Sequence, residues 1–150
     1  MKTDTAYEAG NSRWATEDGR AVWLTPDRDV VELSEALLAA GKLGRAHDLG
    51  CGVGRHAMHF ARHGFETYAV DRAEAGVSEV RAAAADAGLK IAAETAPMTA
   101  LPFPDNHFDY VLSFNVIYHG DEPIVRQAIS EIRRVLKPGG IYQGTMLSKR

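Results

Sequence analysis

Three glycines alternate behind an aspartate in the stretch Asp48-Leu49-Gly50-Cys51-Gly52-Val53-Gly54-Arg55. Glycine suits places where backbone must approach a ligand or take positive φ, so this loop is shaped to hold something. A nucleoside triphosphate loop needs Gly-Lys-Ser/Thr entering the helix. Gly54-Arg55-His56 stands at that place and excludes it. A dinucleotide fingerprint, G-x-G-x-x-G/A, can be laid over Gly52, Gly54 and Ala57, with Asp71 nineteen residues beyond Gly52. That fit is formal. Gly50 already follows the strand directly, and with Gly50 first the third site falls on Arg55. Cys51, inside the loop, reads as a small packing residue and not as a nucleophile. His56, His59 and His63 stand at i, i+3 and i+7, and the last two have the spacing of helical metal ligands. No acid lies between them and no third-ligand motif follows, so a solvated helix face is expected and no metal. Asn115, Tyr118 and His119 close the long apolar run, and His119 is the first candidate base by residue type.

These groups need elements to hold them. The 150 residues suit one domain. Thr25-Pro26-Asp27 starts a helix carrying Val30, Val31, Leu33, Leu37 and Leu38, which Gly41 ends. A strand over 45–49 feeds the glycine loop, and a helix over 54–63 leaves it. A strand over 65–71 ends on Asp71. An alanine-rich helix over 74–87 and a weaker strand over 89–95 follow. The run 108–118 is continuously apolar, as in a central parallel strand covered on both faces. Asp121-Glu122-Pro123 opens a helix through about Leu136, stopped by Lys137-Pro138-Gly139-Gly140, and 140–147 is a fifth strand. Strand–helix alternation at this spacing predicts an α/β fold, a three-layer sandwich around a parallel sheet. Ligands then bind at the carboxyl ends of the strands, where strand order reverses. The loop and Asp71 face that one crevice.

Composition narrows the partners. The net charge of −3 gives no broad basic field for nucleic acid or anionic lipid. The single cysteine excludes an intramolecular disulfide and suits a cytoplasmic setting. The most apolar run, about Tyr110 to Tyr118, falls far short of the roughly 20 residues that span a bilayer.

Four blocks in order, Asp48-Leu49-Gly50-Cys51-Gly52-Val53-Gly54, Val70-Asp71, "LPFPDNHFDYVLSFNVIYH" and "RVLKPGG", resemble the class I S-adenosylmethionine-dependent methyltransferases. The resemblance covers about residues 40–147. It implies a Rossmann-like sheet of order 3-2-1-4-5, S-adenosylmethionine as cofactor with S-adenosylhomocysteine as product, and a small-molecule acceptor. It implies that Gly50, Cys51, Gly52 and Gly54 meet the methionyl portion, that Asp48 faces its ammonium group, and that Asp71 takes both ribose hydroxyls. The plain alternative for Asp71 is a cap on the next helix. Arg72 would stack on the adenine and Met98 pack on its face. Pro97 stands where family members often carry an acid, and Glu94 is a substitute for that acid. Asn115 would touch the cofactor and, with Tyr118 and His119, face the acceptor. Residues 1–25, with Tyr7, Trp14 and Trp23, would form a lid over a core of 26–150. The family fold continues with two further strands, so 140–147 is expected as an exposed apolar edge that pairs with a second copy in a homodimer. Two other readings stay open: a module that binds S-adenosylmethionine and transfers nothing, and a nicotinamide-dependent oxidoreductase domain.

Overall fold

β1 (Arg45–Leu49) is the middle strand of five, and both neighbours run parallel to it. The computed structural model describes residues 24–42 and 44–146, with Tyr118 described by its backbone alone. Residues 1–23 of the expected lid, with Tyr7, Trp14 and Trp23, lie outside the described residues. So does the Tyr118 side chain.

α1 (Arg28–Ala39) starts where Thr25-Pro26-Asp27 predicts: Asp27 is the N-cap, and its Oδ1 accepts from Asp29 N at 2.9 Å. β1 leads through the glycine loop to α2 (Arg55–Arg62). Then come β2 (Glu66–Asp71), α3 (Glu74–Ala87) and β3 (Ile91–Thr95). Gly88, at φ +68°, caps α3 in the left-handed conformation that only glycine takes cheaply. β4 (Phe108–Ser113), a short 3-10 turn (Ile117–His119), α4 (Glu122–Val135) and β5 (Leu136–Gly144) complete the described chain. The strand order is β3-β2-β1-β4-β5, all parallel, as expected. Leu49 lies level with Val70 on one side and Ser113 on the other, so β1, β2 and β4 open onto one crevice.

Apolar side chains fill both faces of the sheet. Leu49, Val70, Phe108 and Val111 pack under α4 with Met98 and Ile132. Ala46, Tyr110 and Leu112 pack with Phe60 of α2 and Val30 and Leu37 of α1. The segment between β3 and β4 is held to α4 by Arg134, which donates to the carbonyls of Phe103 (2.7 Å) and Leu101 (3.0 Å) and pairs with Glu131 and Asp105. Glu131 in turn accepts from Leu101 N at 2.9 Å. The segment is therefore tied to α4 at several points, and its Met98 is buried.

Three expectations need correction. The run 108–118 is not one strand. β4 stops at Ser113, because Asn115 turns into the left-handed region at φ +57° and gives its N–H to Thr145. The fifth strand begins at Leu136, not at 140, and takes Lys137-Pro138-Gly139-Gly140 into itself. The pairing with β4 slips between Phe108 and Tyr110 to absorb it. A proline is tolerated there because β5 has one side without a strand among the described residues. The third concerns the histidines. His56 and His59 are 3 % and 8 % exposed, so that helix face is covered, not solvated; only His63 is exposed. α1 packs over it.

Candidate active-site crevice

The glycine loop turns back on β2. Gly50 N and Cys51 N both donate to Val70 O, at 2.8 and 3.0 Å, and Gly54 N closes the turn on Cys51 O at 2.9 Å. Gly50, Gly52 and Gly54 have φ of +74°, +54° and +88°. A Cβ on Gly50 would stand 2.1 Å from Val116 Cγ2, so the segment after β4 presses directly on the loop. Cys51 is buried, and burial pushes its thiol well up, which leaves it a packing residue.

Asp71 joins the two sides. Its Oδ2 accepts from Gly52 N at 3.0 Å and its Oδ1 from Ala73 N at 2.7 Å. It thus braces the loop and the turn before α3 in one group. Burial raises its pKa, and the N–H groups of Ala73, Gly52 and Arg72 work against that rise. The Arg72 side chain is half-buried at the same strand end. Asp48 is 2 % exposed, and its Oδ2 accepts from Ala57 N in the first turn of α2 at 3.1 Å. Its Oδ1 has no hydrogen-bond partner among the described residues. Burial pushes Asp48 up to about 7, helped by the Asp71 charge and opposed by the Ala57 N–H. Ala96 N donates to Asp71 O at 3.0 Å, which brings Pro97 and the buried Met98 beside Asp71, and Met98 packs with Leu49 and Val70. Glu94 is exposed on β3, opposite Val70.

Across the crevice, Asn115 follows β4, and His119 ends the 3-10 turn half-buried, its N donating to Val116 O at 3.1 Å. Two residues that the sequence reading did not single out for this wall complete it. Phe114 carries the Arg55 guanidinium at 4.9 Å from its ring centroid and the edge of His56 at 5.1 Å. Arg55 Nη1 also donates to Thr25 O at 3.2 Å, and Asp27 N donates to His56 Nε2 at 3.0 Å. The start of α1 is thereby tied to the start of α2. The only sequence signal was adjacency: Arg55 follows Gly54 and Phe114 precedes Asn115. His59 is occupied structurally. Ser34 Oγ donates to Val31 O, so His59 Nε2 carries a proton and donates to Ser34 Oγ at 3.0 Å. Among the described residues no group of three or more His, Cys, Asp or Glu could hold a metal, and no helix is long and apolar enough to cross a membrane.

His56 accepts a backbone N–H only when neutral. Burial, then the Arg55 charge, lowers its pKa to about 3 from 6.5. As pH falls below 6.5 the unfolded chain takes up this proton first. The stability that neutral His56 supplies is complete above 6.5 and drains away as pH falls toward about 3. His47, also lowered to about 3, adds to the same trend. The expected result is a urea midpoint that drops between about pH 7 and about pH 4.5. His56→Gln, which can still accept from Asp27 N but takes up no proton, flattens that drop. An equal drop in the variant would remove His56 from the account.

Residues 46–140, which hold the loop, Asp71 and both walls of the crevice, match the family described as methyltransferase domain. The chain belongs to that family. A ubiquinone biosynthesis O-methyltransferase from Roseobacter denitrificans is 33 % identical over 105 residues, spanning 70 % of this chain and 42 % of that protein. A sterol 24-C-methyltransferase from Gibberella zeae is 37 % identical over 98 residues, spanning 63 % of this chain and 25 % of that protein. The crystal structure of an S-adenosylmethionine-dependent methyltransferase from Mesorhizobium loti superposes with a TM-score of 0.58 at 29 % identity, covering 65 % of this chain and 44 % of that one. The chain therefore spans less than half the length of these relatives. S-adenosylmethionine is the cofactor that the methyltransferase-domain family implies, and the sheet order is that of its Rossmann-like fold.

Proposed function

We propose that this methyltransferase-domain chain transfers a methyl group from S-adenosylmethionine to a small-molecule acceptor. The observation that carries the reading is the Asp71 carboxylate, held at the end of β2 by Gly52 N–H and Ala73 N–H. The donor set suits the cofactor. A ribose diol offers two hydroxyl donors to a carboxylate. An ammonium group and a sulfonium favour the acidic pair Asp48 and Asp71, and Asp48 keeps Oδ1 for such a donor. Buried Met98, with Pro97, offers an apolar surface for adenine. The loop glycines leave room for the methionyl backbone, and Arg72 stands at the adenine side.

When bound, S-adenosylmethionine supplies an electrophilic methyl group whose bond pair leaves with the sulfur. The chain's own residues align and shield. Asn115 and the Phe114 wall orient the acceptor opposite the loop and exclude water. For an acceptor that must lose a proton, His119 is the base we propose, with Tyr118 as its neighbour on the turn. A nicotinamide dinucleotide suits the crevice poorly, since its pyrophosphate would lie against the buried Asp48 and the Asp71 carboxylate.

Calorimetry with S-adenosylmethionine, S-adenosylhomocysteine and NAD tests the reading. Micromolar binding of the first two is expected. Binding of NAD alone would overturn it, and tight binding without methyl release to any acceptor would leave the non-catalytic module as the answer. β5 has one side that pairs with no strand among the described residues; pairing of two copies there is the homodimer we propose, and a monomeric mass by light scattering at high concentration would end it. A cytoplasmic location is supported by the single, buried, unpaired Cys51, and its recovery outside the cytoplasmic fraction would refute it.

A further inference from the structure

We propose that Arg134 is a positioning residue for the adenine of the cofactor, acting with Glu131 and Gln127 through the segment that carries Met98. The proposal rests on the methyltransferase reading above. Gln127, Glu131 and Arg134 stand at i, i+4 and i+7, on one face of α4. They meet alternate residues of the segment between β3 and β4. Gln127 Nε2 donates to Thr99 O at 3.1 Å. Glu131 Oε1 accepts from Leu101 N at 2.9 Å. Arg134 Nη2 donates to Leu101 O at 3.0 Å, and Nη1 to Phe103 O at 2.7 Å. Helical spacing on one side is matched to every second residue on the other.

A guanidinium has five N–H donors in a fixed planar fork. Arg134 uses all five: besides the two carbonyls, Nη1 donates to Asp105 Oδ1 at 3.0 Å, Nη2 to Glu131 Oε1 at 3.0 Å and Nε to Glu131 Oε2 at 2.6 Å. The Glu131 side chain, 12 % exposed, holds the fork in orientation. Among the described residues, every hydrogen bond that residues 97–105 make outside their own segment goes to α4. Apolar packing of Met98 and Leu101 has no direction of its own, so these bonds set the place of the segment. Its other end is tied where Ala96 N donates to Asp71 O at 3.0 Å, and Ala100 N closes a turn on Pro97 O at 3.2 Å. Met98 lies in that turn, buried and packed with Leu49 and Val70. Its position beside Asp71 is therefore set from α4. A base whose ribose Asp71 holds meets Met98 only while the turn keeps that place.

Calorimetry with S-adenosylhomocysteine, on the full chain at a temperature where circular dichroism shows each variant folded, reads the effect apart from stability. Arg134→Lys keeps the charge but loses the planar fork, and should bind the ligand about tenfold more weakly. Gln127→Ala, at an exposed position, removes one hydrogen bond to the segment and should weaken binding about threefold with little change in the urea midpoint. A role in stability alone would leave the affinity of the folded protein where it is. Action through Met98 has a signature of its own. Met98→Ala should cost about tenfold, and adding Arg134→Lys to it less than about twofold more. Where that double variant fails to fold, Gln127→Ala with Met98→Ala completes the cycle. Additive losses overturn the proposal, and so does wild-type affinity in any folded single variant. If S-adenosylhomocysteine itself fails to bind wild type, it is the methyltransferase reading that falls.

Discussion

Gly50→Ala should lower the free energy of unfolding by about 2–5 kcal/mol, the largest effect expected from adding one methyl group to this chain. Two costs add. At φ +74° an L residue has its Cβ against the following carbonyl, which costs about 1–2 kcal/mol. The new carbon also lands 2.1 Å from Val116 Cγ2, with Cγ1 and Cβ at 2.7 and 2.9 Å, and overpacking of that kind costs about 1–3 kcal/mol. The neighbour cannot simply turn aside, since all three of its side-chain carbons are in the way. A double variant separates the costs. Val116→Ala removes the two methyls and leaves Cβ at 2.9 Å, so Gly50→Ala/Val116→Ala should recover most of the overpacking part and keep the conformational part. Urea unfolding of the four proteins measures this. Strict additivity would mean that loop and β4 exit do not touch, contrary to the structure. A Gly50→Ala protein as stable as wild type would mean that the left-handed turn is not there.

The same contact shows what could be read from the sequence and what could not. The glycine loop, the strand over 45–49, the helix over 74–87 and Asp71 at a strand end are local patterns. Each depends on residues within about a dozen positions, and each is found where expected. The parallel sheet followed from strand–helix alternation, and its order from the family resemblance. What escaped the reading was set by partners far along the chain. His56 looked like part of a wet face because nothing near it in sequence says that Asp27, twenty-nine residues earlier, gives it an N–H. β4 looked five residues longer because its run stays apolar past Ser113, whereas its end is decided by Thr145, thirty residues from Asn115. β5 looked shorter because Pro-Gly-Gly normally stops a strand, and only its place beside β4, with a slipped register, lets the strand pass through. Phe114 was hidden inside an apolar run that reads as core. Its role as a wall under Arg55 exists only once α2 and β4 are side by side.

Asp71→Asn should weaken binding of S-adenosylhomocysteine by about a hundredfold. The carboxylate has two oxygens and four lone-pair directions. Gly52 N and Ala73 N use one direction on each oxygen. The Arg72 N–H also lies against the carboxylate, and the directions left can take the ribose hydroxyls only while both atoms are oxygen. An asparagine turns one of them into an amino group, which must face either the Gly52 N–H or the Ala73 N–H as donor against donor. Hydrogen bonds to a charged acceptor contribute about 1.5–3 kcal/mol each, so losing one outright and the charge on the other costs about 3 kcal/mol, on the order of a factor of 100. The pH dependence carries an independent signature. Burial raises the Asp71 pKa in the free protein. A raised carboxyl favours its protonated form in the fold, so its penalty on stability is present at high pH and fades as pH falls through the raised value. Ligand affinity moves the opposite way, because the protonated carboxyl accepts the ribose hydroxyls poorly. Wild type should therefore gain stability from this one group on mild acidification while losing affinity, and the Asp71→Asn protein should show neither trend from it. Calorimetry and urea unfolding of both proteins across the same pH series decide the matter. Affinity that falls in parallel in wild type and variant would assign the titration to Asp48 instead, which burial has brought to about 7 beneath the same loop.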